Sequence, residues 1–198
     1  MPITKPYFKE CNALINQVSP IKKAHNNSLD EVLNLFNISD EEKKLIKVFI
    51  ISLFVPSIPK PYLIFTGEKG SGKTTMARII KSIVDPTTSE IIDVKKSSDF
   101  SKSLGSEYLK ILDNINELSK NQSDILCRAI YGGAYETITK DGVIVKNYKS
   151  AVIMTGITCP VFRDDLLDRC IMIEVKTLKH YIPLEDIMKK VKEMMPFI

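Results

Sequence analysis

Apolar residues along the chain fall into alternating helical and strand-like patterns. Between Ser28 and Asn37, Leu29, Val32, Leu33 and Phe36 share one helical face, with Ser28 as the expected cap. Ser39-Asp40-Glu41-Glu42 opens a second helix, because Ser39 and Glu42 have capping-box spacing and the acidic residues suit the positive helix start. This helix should run to about Phe54 and stop before Pro56, where a stiff connector leads to Pro61. Tyr62–Thr66 reads as a strand and Lys73 to Val84 as a helix ended by Asp85-Pro86. Glu90–Asp93 reads as a strand, Ser97–Leu104 as a helix stopped by Gly105, and Tyr108–Asp113 as another strand. Asn121–Tyr131 reads as a helix ended by Gly132-Gly133. Alternating β-formers at Glu136–Lys140 and Val143–Asn147 flank Asp141-Gly142, a short-range hairpin signal. Ser150–Thr155 and Cys170–Val175 are strands on either side of a short helix at Arg163–Arg169, and residues 183–194 form a last amphipathic helix. Strands alternating with helices predict an α/β fold with a parallel sheet covered on both faces.

Composition adds limits. A chain of 198 residues, 44% of them hydrophobic, can fill the core of one domain with a small appendage. Its longest apolar run, Leu45–Val55, contains Lys47 and is too short to span a bilayer. The opening Met-Pro-Ile-Thr-Lys-Pro has no apolar signal core, so a soluble, cytoplasmic protein with no membrane association is expected. Cys11, Cys127, Cys159 and Cys170 form no C-x-x-C pair and read as reduced, buried thiols. With two histidines, His25 and His180, neither beside a cysteine, zinc ligation is not expected. The formal charge of +4 permits a nucleic-acid partner without demonstrating one. Residues 1–27 carry four lysines against Glu10 and read as a basic, solvated arm with one short helix at most.

One segment carries specific chemistry. Gly67, Gly72, Lys73 and Thr74 satisfy G-x-x-x-x-G-K-[ST], with an apolar strand before and a helix after. In such a loop, Gly67-Glu68-Lys69-Gly70-Ser71-Gly72-Lys73-Thr74-Thr75, consecutive backbone N–H groups surround phosphates and the helix start adds its positive end. Lys73 should reach the β- and γ-phosphates of ATP, and the Thr74 hydroxyl should enter the shell of Mg2+. Holding that ion requires a second acidic site. Asp113 ends the strand Tyr108–Leu112, where open α/β sheets place their ligands, although an aspartate there also suits a helix cap. ATPases of this kind often carry Glu at the next position to activate water. Here Asn114 stands there, and an amide is no base, so hydrolysis should be slow or depend on Glu117 or a neighbouring subunit.

The ordered set of the glycine loop, Leu112-Asp113-Asn114, Leu126–Ala129 with Gly132-Gly133, the hairpin, Val152–Gly156 and Asp165–Arg169 resembles the AAA+ ATPase core of phage, plasmid and other mobile-element proteins. That family is related to superfamily 3 viral helicases and MCM helicases. The likeness covers roughly residues 30–178. It implies a five-stranded parallel sheet between helices, a pre-sensor β-hairpin and an N-terminal helical segment. It divides the chain into 1–56, an arm with two helices; 57–178, the nucleotide-binding core; and 179–198, a C-terminal helix that is a lid remnant or the point of a truncation. It further implies that Thr155 occupies the position of the γ-phosphate sensor, commonly Asn, and that Arg169 is the finger entering a neighbour's ATP site. Arg163 and Arg128 are weaker candidates for that role, and an ordinary ion pair accounts for either. The hairpin should grip DNA phosphates through Lys140, Lys146 and Lys149, although Glu136 and Asp141 leave one net positive charge there.

Three functions compete at this level. The first is a ring-forming, hexameric, DNA-dependent ATPase, as a replicative helicase or initiator of a mobile element. The second is an ATP switch or loader that binds DNA without unwinding, which Asn114 and the short C-terminal segment favour. The third is a small P-loop nucleotide kinase, opposed by the hairpin and by the lack of an arginine-rich lid segment.

Overall fold

The structure, a computed structural model, describes residues 15, 16, 18, 19, 21, 27–55, 57–87, 97–140, 142–178 and 182–198. The strand expected at Glu90–Asp93, most of the N-terminal arm, Cys11 and Asp141 lie outside them. The elements are α1 (Ser28–Leu33), α2 (Asp40–Leu53), β1 (Tyr62–Thr66), α3 (Lys73–Val84), α4 (Ser97–Leu104), β2 (Leu109–Leu112), α5 (Lys120–Ala129), β3 (Gly133–Thr139), β4 (Gly142–Tyr148), β5 (Ala151–Thr155), α6 (Asp164–Leu167), β6 (Cys170–Glu174) and α7 (Leu184–Met194), followed by a short 3₁₀ turn.

Four of the strands form a parallel sheet in the order β2-β5-β1-β6. Its strands are short apolar runs because both faces are covered. Leu63, Phe65, Leu109, Ile111, Ile153 and Ile173 point to one face, where they join α1, α2, α3 and α7 in a single core. Tyr62, Ile64, Leu112, Val152 and Met154 point to the other, against α4, α5 and α6. This alternation is the period of two of an extended chain. Each fully buried aliphatic or aromatic side chain contributes roughly 1.5–3 kcal/mol relative to exposure. The first two helices share the face-one core with β1, through Phe49, Ile50 and Leu53 as well as Val32 and Leu33.

The capping box at Ser39–Glu42 forms in both directions, and Glu42 also accepts the Glu174 N–H at 2.9 Å, tying α2 to the edge strand β6. Helix α1 differs from expectation. It ends at Leu33, not Asn37, and its cap position is Asn27, with Ser28 buried inside the first turn. The chain turns there so that Phe36 can pack below the glycine loop and Asn37 can bridge to Lys176. Helix α5 begins one residue earlier than expected, at Lys120, with Ser119 and Gln122 forming a capping box.

β3 and β4 form the separate antiparallel hairpin, longer at its base than the sequence suggests. The extension depends on Gly133, where a Cβ would lie 2.4 Å from the Tyr148 ring. Tyr148 is buried, and its ring stands 6.1 Å from that of Tyr135, so two aromatics root the hairpin on the body. Beyond them Val143, Ile144 and Val145 are exposed. No described helix is long and apolar enough to cross a membrane.

Candidate nucleotide-binding site

Register brings the candidate groups together. Phe65 and Thr155 are partners across β1 and β5, and Leu112 pairs with Met154 across β2 and β5. The glycine loop, Thr155 and Asp113 therefore emerge side by side from one edge of the sheet.

The loop is held open by its glycines. Gly67, Gly70 and Gly72 have φ of 137°, 85° and 95°, which L side chains rarely adopt. At Gly67 a Cβ would also lie 2.2 Å from the Val175 carbonyl oxygen, so no larger residue fits. Among the described residues no side chain caps α3 at Gly72, which leaves its first N–H groups facing the loop. Lys73 spans the concavity, donating to the Gly67 and Glu68 carbonyls at 2.8 and 2.6 Å and to the Ser71 hydroxyl at 3.4 Å. Burial lowers the Lys73 pKa, while the charge of Asp113 opposes that shift. Glu68, Lys69 and Gly70 form the exposed tip, and Glu68 accepts a 3.2 Å bond from the Thr177 hydroxyl. Thr75 is half-buried on the first turn of α3.

Asp113 is the meeting point. Its Oδ1 accepts from the Thr74 hydroxyl at 2.7 Å and from the Thr155 hydroxyl at 2.5 Å. Thr155 in turn accepts from the Asn114 N–H at 2.9 Å. Asn114 has φ 53°, a left-handed conformation shared by no other non-glycine among the described residues. The chain is locked there, because the Ile115 N–H donates to the Thr155 carbonyl at 2.8 Å and Gly156 lies so close that a Cβ would meet the Ile115 and Thr158 oxygens at 2.7 Å. Thr155 is almost fully buried, whereas the Asn114 and Glu117 side chains are exposed on the loop leading to α5. The cap of α5 is Ser119, so Asp113 serves no helix start.

The arginines lie apart from these groups within the chain. Arg169 is half-buried beside α5, donating to the Cys127 carbonyl at 3.3 Å and lying 5.7 Å over the Tyr131 ring. Arg163 is paired within the chain to Asp124 and, at 2.7 Å, to Asp165. Arg128 is exposed on α5. Lys140, Lys146 and Lys149 are exposed along the hairpin and its exit. By the pairing register Lys146 stands opposite Tyr135, on the rooted face of the ribbon. Three cysteines are half-buried rather than buried as expected; burial pushes the Cys127 thiol up and Cys170 up to about 12, which keeps both protonated near neutral pH.

Two features escape a reading of the sequence. One is the double use of Thr155 as a partner of both Asp113 and Asn114, which a strand-end threonine does not announce. The other is a buried charged cluster at the far end of α3. Lys81 donates to Glu107 at 2.8 Å, to Asp85 at 3.3 Å and to the Leu109 carbonyl at 2.6 Å, and Lys110 pairs with Glu107 at 3.1 Å. The i,i+4 pair Lys81–Asp85 and a lysine inside the apolar run of β2 were the available signals.

Eighty residues are 32% identical to the DNA polymerase III subunit gamma/tau of Mycoplasma genitalium, covering 40% of this chain and 13% of that protein. Among solved structures, the C-terminal region of NrS-1 superposes with a TM-score of 0.62 at 20% identity, over 91% of this chain and 46% of that one. The JCV helicase superposes with a TM-score of 0.56 at 12% identity, over 86% and 50%. A RuvB variant of Thermotoga maritima does so with a TM-score of 0.50 at 21% identity, over 87% and 55%. The chain thus spans about half the length of these structures, and the likeness is one of fold, that of P-loop AAA+ proteins. The profile of a family described as actinomycete integrative conjugative element replication protein matches residues 29–198, and the chain belongs to that family.

Proposed function

We propose that this replication protein is an ATP-binding, ATP-hydrolysing AAA+ protein acting on the element's DNA in the cytoplasm, as a helicase or initiator. The observation that carries this reading is the convergence of the Thr74 and Thr155 hydroxyls on one oxygen of Asp113, beside a glycine loop spanned by Lys73. In the proposed ATP complex Lys73 exchanges its loop carbonyls for β- and γ-phosphate oxygens, and the loop N–H groups bind the rest of the chain of phosphates. A hydroxyl and a carboxylate are hard oxygen donors, so Thr74 and Asp113 fit Mg2+. When bound, that ion would neutralise charge shared by the β- and γ-phosphates.

Thr155 has a positioning role in this reading: it fixes the Asp113 carboxylate and, through the Asn114 N–H, the turn that follows. The Asn114 amide is able to orient a water but takes no proton from it, which leaves the Glu117 carboxylate as the candidate base. Arg169 is assigned to a neighbouring subunit's site in a ring, as a hexamer, where a guanidinium stabilises charge on the transferred group. Lys140, Lys146 and Lys149 are assigned to DNA phosphates. Asn114 also favours the second reading, a switch or loader with slow turnover.

The test is the ATPase rate, measured with and without single- and double-stranded DNA at several protein concentrations. Stimulation by DNA and a rate rising faster than protein concentration are expected. A rate indifferent to DNA and strictly proportional to concentration would contradict the shared, DNA-dependent site. Rapid turnover surviving Glu117→Gln would remove the argument for weakened base chemistry.

A further inference from the structure

A cleft of about 340 Å³ opens beside the phosphate-binding edge of the sheet. Its walls come from α4, the end of β2, the 114–118 loop and the first turn of α5. The floor is apolar and buried, formed by Phe100, Leu112 and Leu118. The rim is polar: Asn114, Asn116 and Glu117 are exposed and Gln122 is half-buried. The Gln122 carbonyl oxygen is already used, accepting from the Ser119 backbone and hydroxyl at 2.9 Å each, so this residue offers its N–H₂. Asn114 and Asn116 each offer two donors and an acceptor, and Glu117 offers an acceptor.

What the lining lacks selects the ligand class. The residues lining the cleft include no lysine, arginine or histidine and do include one carboxylate, so its interior disfavours phosphate and other anions. The volume stands at the low end of the roughly 300–1,000 Å³ of small-molecule sites. An apolar floor below a ring of amides suits a neutral flat heterocycle, apolar on its faces and bearing donors and acceptors on its edge. Carboxamides match such edges with paired hydrogen bonds, and a carboxylate accepts from an exocyclic amine.

We propose that this cleft binds one unstacked nucleobase, from single-stranded DNA or from a free nucleoside, next to the γ-phosphate end of the ATP site. The DNA source rests on the function proposed above; the cleft's preference for a base does not. Asn114 joins the two sites, since it lines the cleft while its backbone N–H is bonded to the hydroxyl that holds Asp113. A base in the cleft therefore presses on the residue adjoining the metal-holding carboxylate.

The test compares a short single-stranded oligonucleotide with an abasic one of equal length and charge, by fluorescence anisotropy, in the natural chain, in Asn116→Trp and in Asn116→Ala. The four nucleosides, each titrated alone by calorimetry, form a second arm. Asn116 is exposed, and a melting curve checks that each variant is folded. The natural chain should bind the base-bearing strand about 10-fold more tightly than the abasic one, the scale of one stacked base. Asn116→Trp, which fills the mouth of the cleft, should erase that difference, and Asn116→Ala should reduce it. Absence of oligonucleotide binding together with nucleoside binding lost in Asn116→Trp would support the cleft, name the free nucleoside as its source and defeat the DNA reading. A base preference untouched by Asn116→Trp, or neither base preference nor nucleoside binding, would overturn the proposal.

Discussion

Helix α3 carries a lysine at each end, and the two live in opposite circumstances. Lys73, at the first residue, spans the glycine loop and, among the described residues, bonds only neutral oxygens. Lys81, about two turns on, is 1% exposed and held by Asp85, Glu107 and the Leu109 carbonyl, with Asp85 also accepting the Leu109 N–H at 2.9 Å. The cation beside the glycine loop has exchangeable partners, while the cation at the opposite edge of the sheet has none to give up. A buried charge with ionic partners is a structural tie, costly to break. A charge resting on loop carbonyls can leave them for a stronger acceptor such as phosphate. Under the proposed function, the same residue type on one helix thus serves binding at one end and cohesion at the other.

The comparison can be broken from either side, and the largest effect lies at the structural end. Lys81→Met leaves Asp85 buried without its cation and should lower stability by about 3–5 kcal/mol in urea unfolding. A loss below about 1 kcal/mol would show the cluster to be incidental. Lys73→Ala should reduce the ATPase rate by roughly 10²–10³-fold, the scale of removing one preorganised donor. The stability of its nucleotide-free form should change by only about 0.5 kcal/mol.

Thr155→Val removes the hydroxyl joining Asp113 to the Asn114 N–H. The Mg2+ concentration giving half-maximal rate should rise by about 10-fold, as for loss of a group that orients a metal ligand. Thr155→Ser should restore it, and an unchanged Mg2+ requirement in Thr155→Val would reduce Thr155 to packing. Lys140→Ala should have the smallest effect, lowering by about 0.9 the slope of log affinity for duplex DNA against log salt. An unaltered slope would take the hairpin tip away from the phosphates.

Most of the candidate nucleotide site was legible in the sequence because its determinants are local. The glycine loop, the strand before it and the helix after it are consecutive, and Asp113 follows an apolar run. The capping boxes at Ser39–Glu42 and Ser119–Gln122 are equally local, and the second accounts for α5 starting at Lys120 rather than Asn121. What stayed illegible depends on groups distant in sequence meeting in space. The Lys81–Glu107–Lys110 cluster joins α3 to the start of β2, and the Lys81–Asp85 spacing and the lysine within β2 each hint at a buried charge without showing that the two segments meet. Thr155 gains its second partner only because Asn114 adopts a left-handed turn over the end of β5. Helix α1 stops early for a tertiary reason, since Phe36 is needed against Gly72 and Asn37 against Lys176.

The contrast between the two lysines is tested most directly by thermal melting of the natural chain, Lys73→Ala and Lys81→Met, each with and without Mg-ATP. Ligand binding raises the midpoint of any form that still binds. The natural chain should show that rise. Lys73→Ala should keep the nucleotide-free midpoint and lose the rise, whereas Lys81→Met should melt far lower and keep it. A persistent Mg-ATP rise in Lys73→Ala, or its loss in folded Lys81→Met, would contradict the division of α3 into a binding end and a structural end.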